Sequence, residues 1–466
     1  MAVFTAIAAA VTSFLATSVA FFGCTVLGSA IATATGWIVA GGVASAVAKA
    51  TGIFKPQGIQ QSKDPGVKIQ ISPATDNRVP VFYGTINTGA IICDAGISNQ
   101  NDTMVYVMVI SEKTDTGTYS VGPIRRGDAT LNFGLNSANV TSITDPNATS
   151  TTNVANKMRC RVYAGGTAAS DQIFPAGGTQ VAATTLLPTI TASTNYDDLV
   201  YAVFEMDYDP ENSLTSLGAI TFEITNSLKE PSNVLLDYCT NSRYGAGLTS
   251  AELDLPSFNA LYDYSTEQVA YTTNLGVADT HDRWQIDGMV STYQDVKSNI
   301  DRLCTSCSAF FAYNPQLGQF SVVPNRAATT AEKNAAFLFN DDVVIGQIDI
   351  SSTELYSLYN SIEAEYPSVA VKDQTNVVIV STPASDKNPN EPDNPLQTRY
   401  DLVNDAPRVN NLADIDLRQS RISTVVSFEA TYEAMGVDVG DVVKLTNAIY
   451  GWTNKLFRVM RTTEIE

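Results

Sequence analysis

Two kinds of hydrophobic patterning divide the chain near Gly52. Ahead of it, residues 1–48 carry no charged side chain, the first being Lys49. Apolar residues recur there at helical spacing among alanines: Ile7, Val11, Leu15, Val19 and Phe22 in an arm from Val3, then Ile31, Trp37, Ile38 and Val43 in an arm from Leu27 to Ala48. At about 1.5 Å per residue this run would make roughly 70 Å of helix, and Gly23 is a natural break, so the pattern predicts a helical hairpin. Gly28 with Ala32, and Gly42 with Ala46, would let backbones approach closely. No basic stretch precedes the apolar one, which argues against a secretory signal. Its Ala and Thr content leaves both a bilayer and the interior of an assembly open as its surroundings.

Beyond Gly52 the pattern turns to short runs rich in Val, Tyr and Phe, such as 103–111 (TMVYVMVIS), 199–206 (LVYAVFEM) and 219–224 (AITFEI), bounded by Asp, Asn, Gly or Pro. These predict strands of barrels or sandwiches. Residues 132–156 are dominated by Asn, Ser and Thr, which predicts exposed loops or a peripheral lobe. Helical spacing returns only in the middle. Pro231 opens a helix through Val234, Leu235, Leu236, Tyr238 and Cys239 that Gly245 and Gly247 stop, and a second begins near Pro256 with Phe258, Leu261 and Tyr262 inward. A third runs from about Ser291 to Ala309, with Tyr293, Val296, Ile300, Leu303, Cys304 and Cys307 on one stripe. Strands are expected again beyond Phe320, interrupted by a surface loop over 383–395.

Charge and candidate chemistry narrow the function. A net charge of -20, from 48 acidic and 28 basic residues, argues against a protein that grips nucleic acid through a basic footprint, though not against one past which it slides. Six scattered cysteines do not form the dense framework of a small secreted domain. His281 is the only histidine, which excludes an HExxH zinc site. No Gly-x-Ser-x-Gly elbow accompanies it, so it is expected on a surface turn. Cys304 and Cys307 form a lone CxxC whose thiols fall on the apolar stripe, where burial is expected to keep them inert. No catalytic residue, metal ligand or cofactor site is expected, and the chain is read as not an enzyme.

A series of local patterns carries a resemblance. Residues 78–84 (RVPVFYG, with Pro80, Tyr83 and Gly84) resemble an early strand of phage tail hub proteins, the family of the tip attachment protein J of lambda-like phages. Residues 233–247 (NVLLDYCTNSRYGAG) look like that family's helix and turn, through Asp237, Asn241, Arg243, Tyr244, Gly245 and Gly247. Asp287-Gly288 before the third helix, 320–325 (FSVVPN), 358–362 (LYNSI) and Gly440-Asp441 within 440–445 (GDVVKL) continue the series in order. Val439 stands where the family's Pro-Gly-Asp has its proline. These residues are read as scaffold.

The resemblance implies a mainly β fold with some α: two β-barrel-like domains with inserted α+β lobes, behind the N-terminal hairpin. The first barrel would use 53–110 and 195–230 around an inserted β lobe at 111–194. An α/β lobe would span 231–330, a second barrel 331–440 and C-terminal strands 441–466, with the hairpin over 1–52. It further implies a homotrimer at the distal tip of a virion tail, made in the host cytoplasm. Its expected partners are a distal tail protein ring, a tape measure protein, and tail fibre or spike proteins. Genomic DNA would pass through the channel without specific binding. The hairpin falls outside the matched residues, and its uncharged apolar run alone is what suggests a plug of that channel or a contact with the host membrane. The rival reading is a β-rich bacterial surface adhesin held by the hairpin, and a third is a cell-wall hydrolase.

Overall fold

In the computed structural model strands predominate, as the composition predicts. It describes residues 77–463, apart from 99–101, 147–150, 155, 192, 195, 213, 273–275, 315, 353–354, 356–357, 370–372 and 422–423, together with the backbone of Ala20–Phe21 and Cys24–Ser29. The strand Thr103–Glu112 is apolar at nearly every position because both of its faces are covered within a seven-stranded sheet. On one face Met108 and Ile110 join Phe82, Phe204, Phe222 and Ile224 in the core against a six-stranded sheet. On the other, Val105, Val107 and Val109 pack under Ala183, Leu187 and Ile190.

The segment 111–194, expected as a peripheral lobe, supplies strands to both sheets. Tyr119–Arg126 pairs with Ile220–Asn226, and Met158–Ala164 pairs with Leu199–Asp207. Within the Asn/Ser/Thr-rich stretch, Ala129–Phe133, Val140–Thr144 and Thr151–Asn153 extend the six-stranded sheet where loops were an expected alternative. The inward residues Leu131, Val140 and Val154 are few but fully used in the core.

A second core, the largest, gathers helices. Helix α1 (Pro231–Thr240) and α2 (Leu255–Thr266) form where the prolines place them. In α2, Phe258, Leu261 and Tyr264 face inward, whereas Tyr262, expected inward, is 41% exposed because it falls off that stripe. Helix α3 covers Val296–Ser306, beginning five residues later than predicted because the Asp295 carboxylate caps it, accepting a hydrogen bond from the Ser298 N–H. Tyr293 therefore lies outside the helix and is exposed, and Val296 sits at its rim, while Ile300, Leu303, Cys304 and Cys307 are buried. A short helix α4 (Thr330–Ala335) follows.

The sequence reading missed α5 (Ala406–Ser420), the longest helix among the described residues. Val409, Leu412, Ala413 and Leu417 bury its stripe against Ile362, Ala364 and Tyr366 of a three-stranded sheet. The expected second barrel over 331–440 is thus interrupted, with 361–420 belonging to the helical core. Phe337–Phe339, Val344–Ser352 and Thr424–Ala430 instead share a third core with Val442–Asn447 and Trp452–Thr463, around Phe339, Phe428, Leu445 and Phe457. The C-terminal strands complete this β unit.

Ile7, Val11, Leu15, Val19, Phe22, Ile31, Trp37, Ile38 and Val43 of the expected hairpin lie outside the described residues. Between them, the backbone of Cys24–Ser29 is a strand antiparallel to Trp452–Thr463.

Candidate functional site

Most of the motif residues, far apart in sequence, meet at the junction between the first β unit and the helical core. Tyr83 ends the strand Val81–Tyr83, and Gly288 of the strand Gly288–Val290 lies directly opposite it. Gly84 turns the chain at φ 64, and a Cβ there would meet the Ile286 carbonyl at 2.3 Å, so only glycine fits. The turn exposes the next N–H to a carboxylate: Thr85 N–H donates to Asp287 Oδ1 at 2.8 Å. Gln285 Nε2 donates to both oxygens of Asp287, at 3.0 and 2.8 Å. Burial raises the Asp287 carboxyl above its ordinary range, and these donors only partly offset that shift.

Asp237, on α1, is the second buried carboxylate. Its Oδ2 accepts from the phenols of Tyr83 at 2.9 Å and Tyr244 at 2.8 Å. Burial again raises its pKa, against the lowering pull of the two phenols. The turn after α1 is closed by Asn241, whose Oδ1 accepts from the N–H groups of Arg243 and Tyr244 and whose Nδ2 donates to Asp115 at 3.0 Å. Gly245 packs so tightly that an added Cβ would stand 1.9 Å from the Tyr238 carbonyl, and Gly247 carries a φ of 65. Arg243 reaches back to the first β unit. It donates to Glu112 at 2.7 Å, to Asp198 and to the Lys113 carbonyl at 2.6 Å, and it lies 5.4 Å from the Tyr244 ring centroid. Pro80 adds a carbonyl that accepts from Glu112 N–H at 2.8 Å.

Gly440 and Asp441 stand apart from this junction. Gly440, with φ 97, abuts Val323, while Asp441 accepts from Asp438 N–H at 2.8 Å, closing the turn before Val442–Asn447. Arg458 Nη1 donates to the Gly440 carbonyl at 2.6 Å.

Sequence reasoning missed Glu112, Asp115, Asp198 and Gln285 as partners, along with Asn404, which donates to the Thr85 carbonyl, and Asp373, which accepts from Asn87 N–H at 2.6 Å. Only Gln285, two residues from its partner, carried a local signal.

The arrangement holds the first β unit and the helical core together through side-chain hydrogen bonds and ion pairs. A cavity of about 30 Å³ lies between Thr85, Asn87, Asp287, Asp373, Asp401 and Asn404, room enough for water. Among the described residues no three His, Cys, Asp or Glu are placed to hold a metal ion. Burial pushes the Cys307 thiol up to about 12 and raises Cys304 as well, which disfavours the reactive thiolate. His281, expected on a turn, lies in the strand Ala278–Asp282 with its ring 4.9 Å from that of Tyr271.

The motif residues thus join the first β unit to the helical core through buried hydrogen bonds and ion pairs. In sequence the chain is similar to the baseplate hub protein pb3 of Escherichia phage T5, at 24% identity over 237 residues, which is 48% of this chain and 24% of that protein. The chain thus spans about a quarter of the length of this relative. The similarity is to a baseplate hub protein and does not single out the J family. A chain from the virion of a native gene transfer agent particle is similar in structure, with a TM-score of 0.49 and 11% identity, covering 86% of this chain and 87% of that one. No family model matches.

Proposed function

We propose that this chain is a structural hub of a bacteriophage tail tip or baseplate, without enzymatic activity. The observation that carries the reading is its similarity to a phage baseplate hub protein. The meeting of the motif residues from 80–84, 237–247 and 287–288 at one interlocked junction supports it. In this reading the two β units are the barrels of a homotrimeric ring at the distal end of the tail tube. The ring adapts the tube to fibres or spikes and meets the distal tail protein and the tape measure. It opens on host contact so that DNA passes.

The test is cryo-electron microscopy and mass spectrometry of purified virions. Threefold density of this chain at the tail tip is expected, and its absence from intact particles overturns the reading. The uncharged segment 1–48 is assigned the axial plug of the ring. Virions with residues 3–48 deleted should leak DNA early; normal retention with failed ejection would move the segment's role to the host membrane.

A further inference from the structure

A carboxylate taken out of water is paired with a cationic side chain or coordinates a metal ion. Asp287 is only 3% exposed, and among the described residues its oxygens accept from neutral donors alone, the Thr85 N–H and Gln285 Nε2. Arg408 and Lys229 act on it without touching it, and Arg408 is itself engaged by Asp405 at 3.0 Å. Two of those hydrogen bonds fall on Oδ1 and one on Oδ2, so Oδ2 keeps a free lone pair. The cavity beside this carboxylate holds a second acceptor. Asn87 alternates along the strand Thr85–Gly89 with Ile86, which fills the core of the first β unit, so the Asn87 amide points the other way. It is 6% exposed, and its Oδ1 has no hydrogen-bond partner among the described residues. Its N–H donates to Asp373, which lines the same space.

We propose that this cavity binds one hard divalent cation, held by Asn87 Oδ1 and by one carboxylate oxygen each from Asp287 and Asp373, with water completing its shell. Asn404, which also borders the cavity, turns its amide N–H away to the Thr85 carbonyl at 3.0 Å. Asp401 is already paired with Arg399 and faced by Arg302 at 3.6 Å, and no three acids are placed to share an ion. The ligand set is therefore two carboxylates and one neutral oxygen. Magnesium takes one or two carboxylates and keeps several of its waters, and calcium accepts such oxygens among its six to eight ligands. No thiol or imidazole lines the space, which leaves zinc and copper without the ligands they favour. About 30 Å³ is room for an ion with a water beside it. The ion ties the strand Thr85–Gly89 to the segments that enter Gly288–Val290 and Gln374–Ser381, at the same junction that the motif residues form. It does not depend on the hub reading.

The test uses the full-length protein, dialysed against chelator and titrated with calcium or magnesium chloride, with sodium chloride of equal ionic strength as the reference. A net charge of -20 gathers divalent ions loosely, so stoichiometry and dependence on one amide identify the site. Calorimetry should show one saturable site per chain for at least one of the two ions, and that ion should raise the thermal unfolding midpoint beyond the sodium reference. Asn87→Ala should weaken the fitted affinity at least about tenfold. Asn87→Asp, which keeps an oxygen and adds a charge, should tighten it. Both variants are compared with the wild type by circular dichroism in chelator; if Asn87→Ala fails to fold, the wild-type titration and Asn87→Asp decide the question. The absence of a saturable site in the wild type, a thermal shift that sodium reproduces, or an affinity that the Asn87 substitutions leave unchanged overturns the proposal.

Discussion

The junction depends most on a single carboxylate. Asp237 accepts from both Tyr83 and Tyr244 out of contact with water, so its removal leaves two buried hydroxyls without an acceptor. Asp237→Ala should cost about 2–4 kcal/mol in denaturant melts, and Tyr83→Phe about 1–2 kcal/mol. A double-mutant cycle of the two should show coupling, and additive effects would place the tyrosine's contribution elsewhere. A second buried acid gives a pH signature. Asp416 receives the Tyr400 phenol at 2.6 Å, and burial raises its pKa to about 6. The folded state then binds the proton more tightly than the unfolded chain, so stability falls as pH rises from about 4 through about 6. Asp416→Asn should flatten that slope and stabilise the protein at pH 8 by on the order of 2 kcal/mol. An unchanged slope in pH-dependent melts would contradict this. At this scale the sequence named Tyr83, Asp237, Arg243, Tyr244 and Asp287, because short motifs mark them. It could not name the acceptors of Arg243, since Glu112 lies 131 positions away and nothing local ties the two.

At the scale of elements, strands buried on both faces and helices opened by proline were legible. Unbroken apolar runs such as 103–111 and Pro231 or Pro256 at a helix start are strong local signals. Helix α5 was not read, although Pro407 stands at its start and Val409, Leu412, Ala413 and Leu417 keep helical spacing. Charged and amide residues separate these four positions, and the helix lies between strand-forming segments, so its short stripe was absorbed into the β pattern around it. That stripe covers one face of the sheet whose edge strand is Gln374–Ser381. Leu412→Ala should therefore lower stability by about 2–4 kcal/mol through the cavity left at a site only 1% exposed. It should also raise hydrogen exchange in Ser361–Ser368 more than in Thr103–Glu112, which belongs to a different core. Equal loosening of both strands would mean that the two cores unfold as one.

Across the whole molecule, the sequence reading found the mainly β character but not the way the chain returns to its units. The third core is built from 337–352 and 424–463, with the 361–420 segment folded into another core between them. Only long-range packing decides such a division, and hydrophobic periodicity does not encode it. Net charge, by contrast, is fully legible and carries a prediction for the proposed hub. Duplex DNA presents one negative charge per about 1.7 Å, and a protein that binds it must release counterions through clustered Lys and Arg. With 48 acidic against 28 basic residues, the chain has an excess of the wrong sign for that exchange, and a ring of three copies triples it. A wall of this charge repels phosphates and lets duplex slide, so the acidic excess is expected to face the channel. In gel-shift and fluorescence anisotropy measurements, the full-length protein should therefore show no binding to a 30-base-pair duplex at about 50 mM salt, where even non-specific binders hold DNA tightly. Neutralising carboxylates on the channel wall should then create salt-sensitive binding and slow DNA release from triggered virions. Tight duplex binding by the unaltered protein at that salt would show that basic residues line the path and would reverse the assignment.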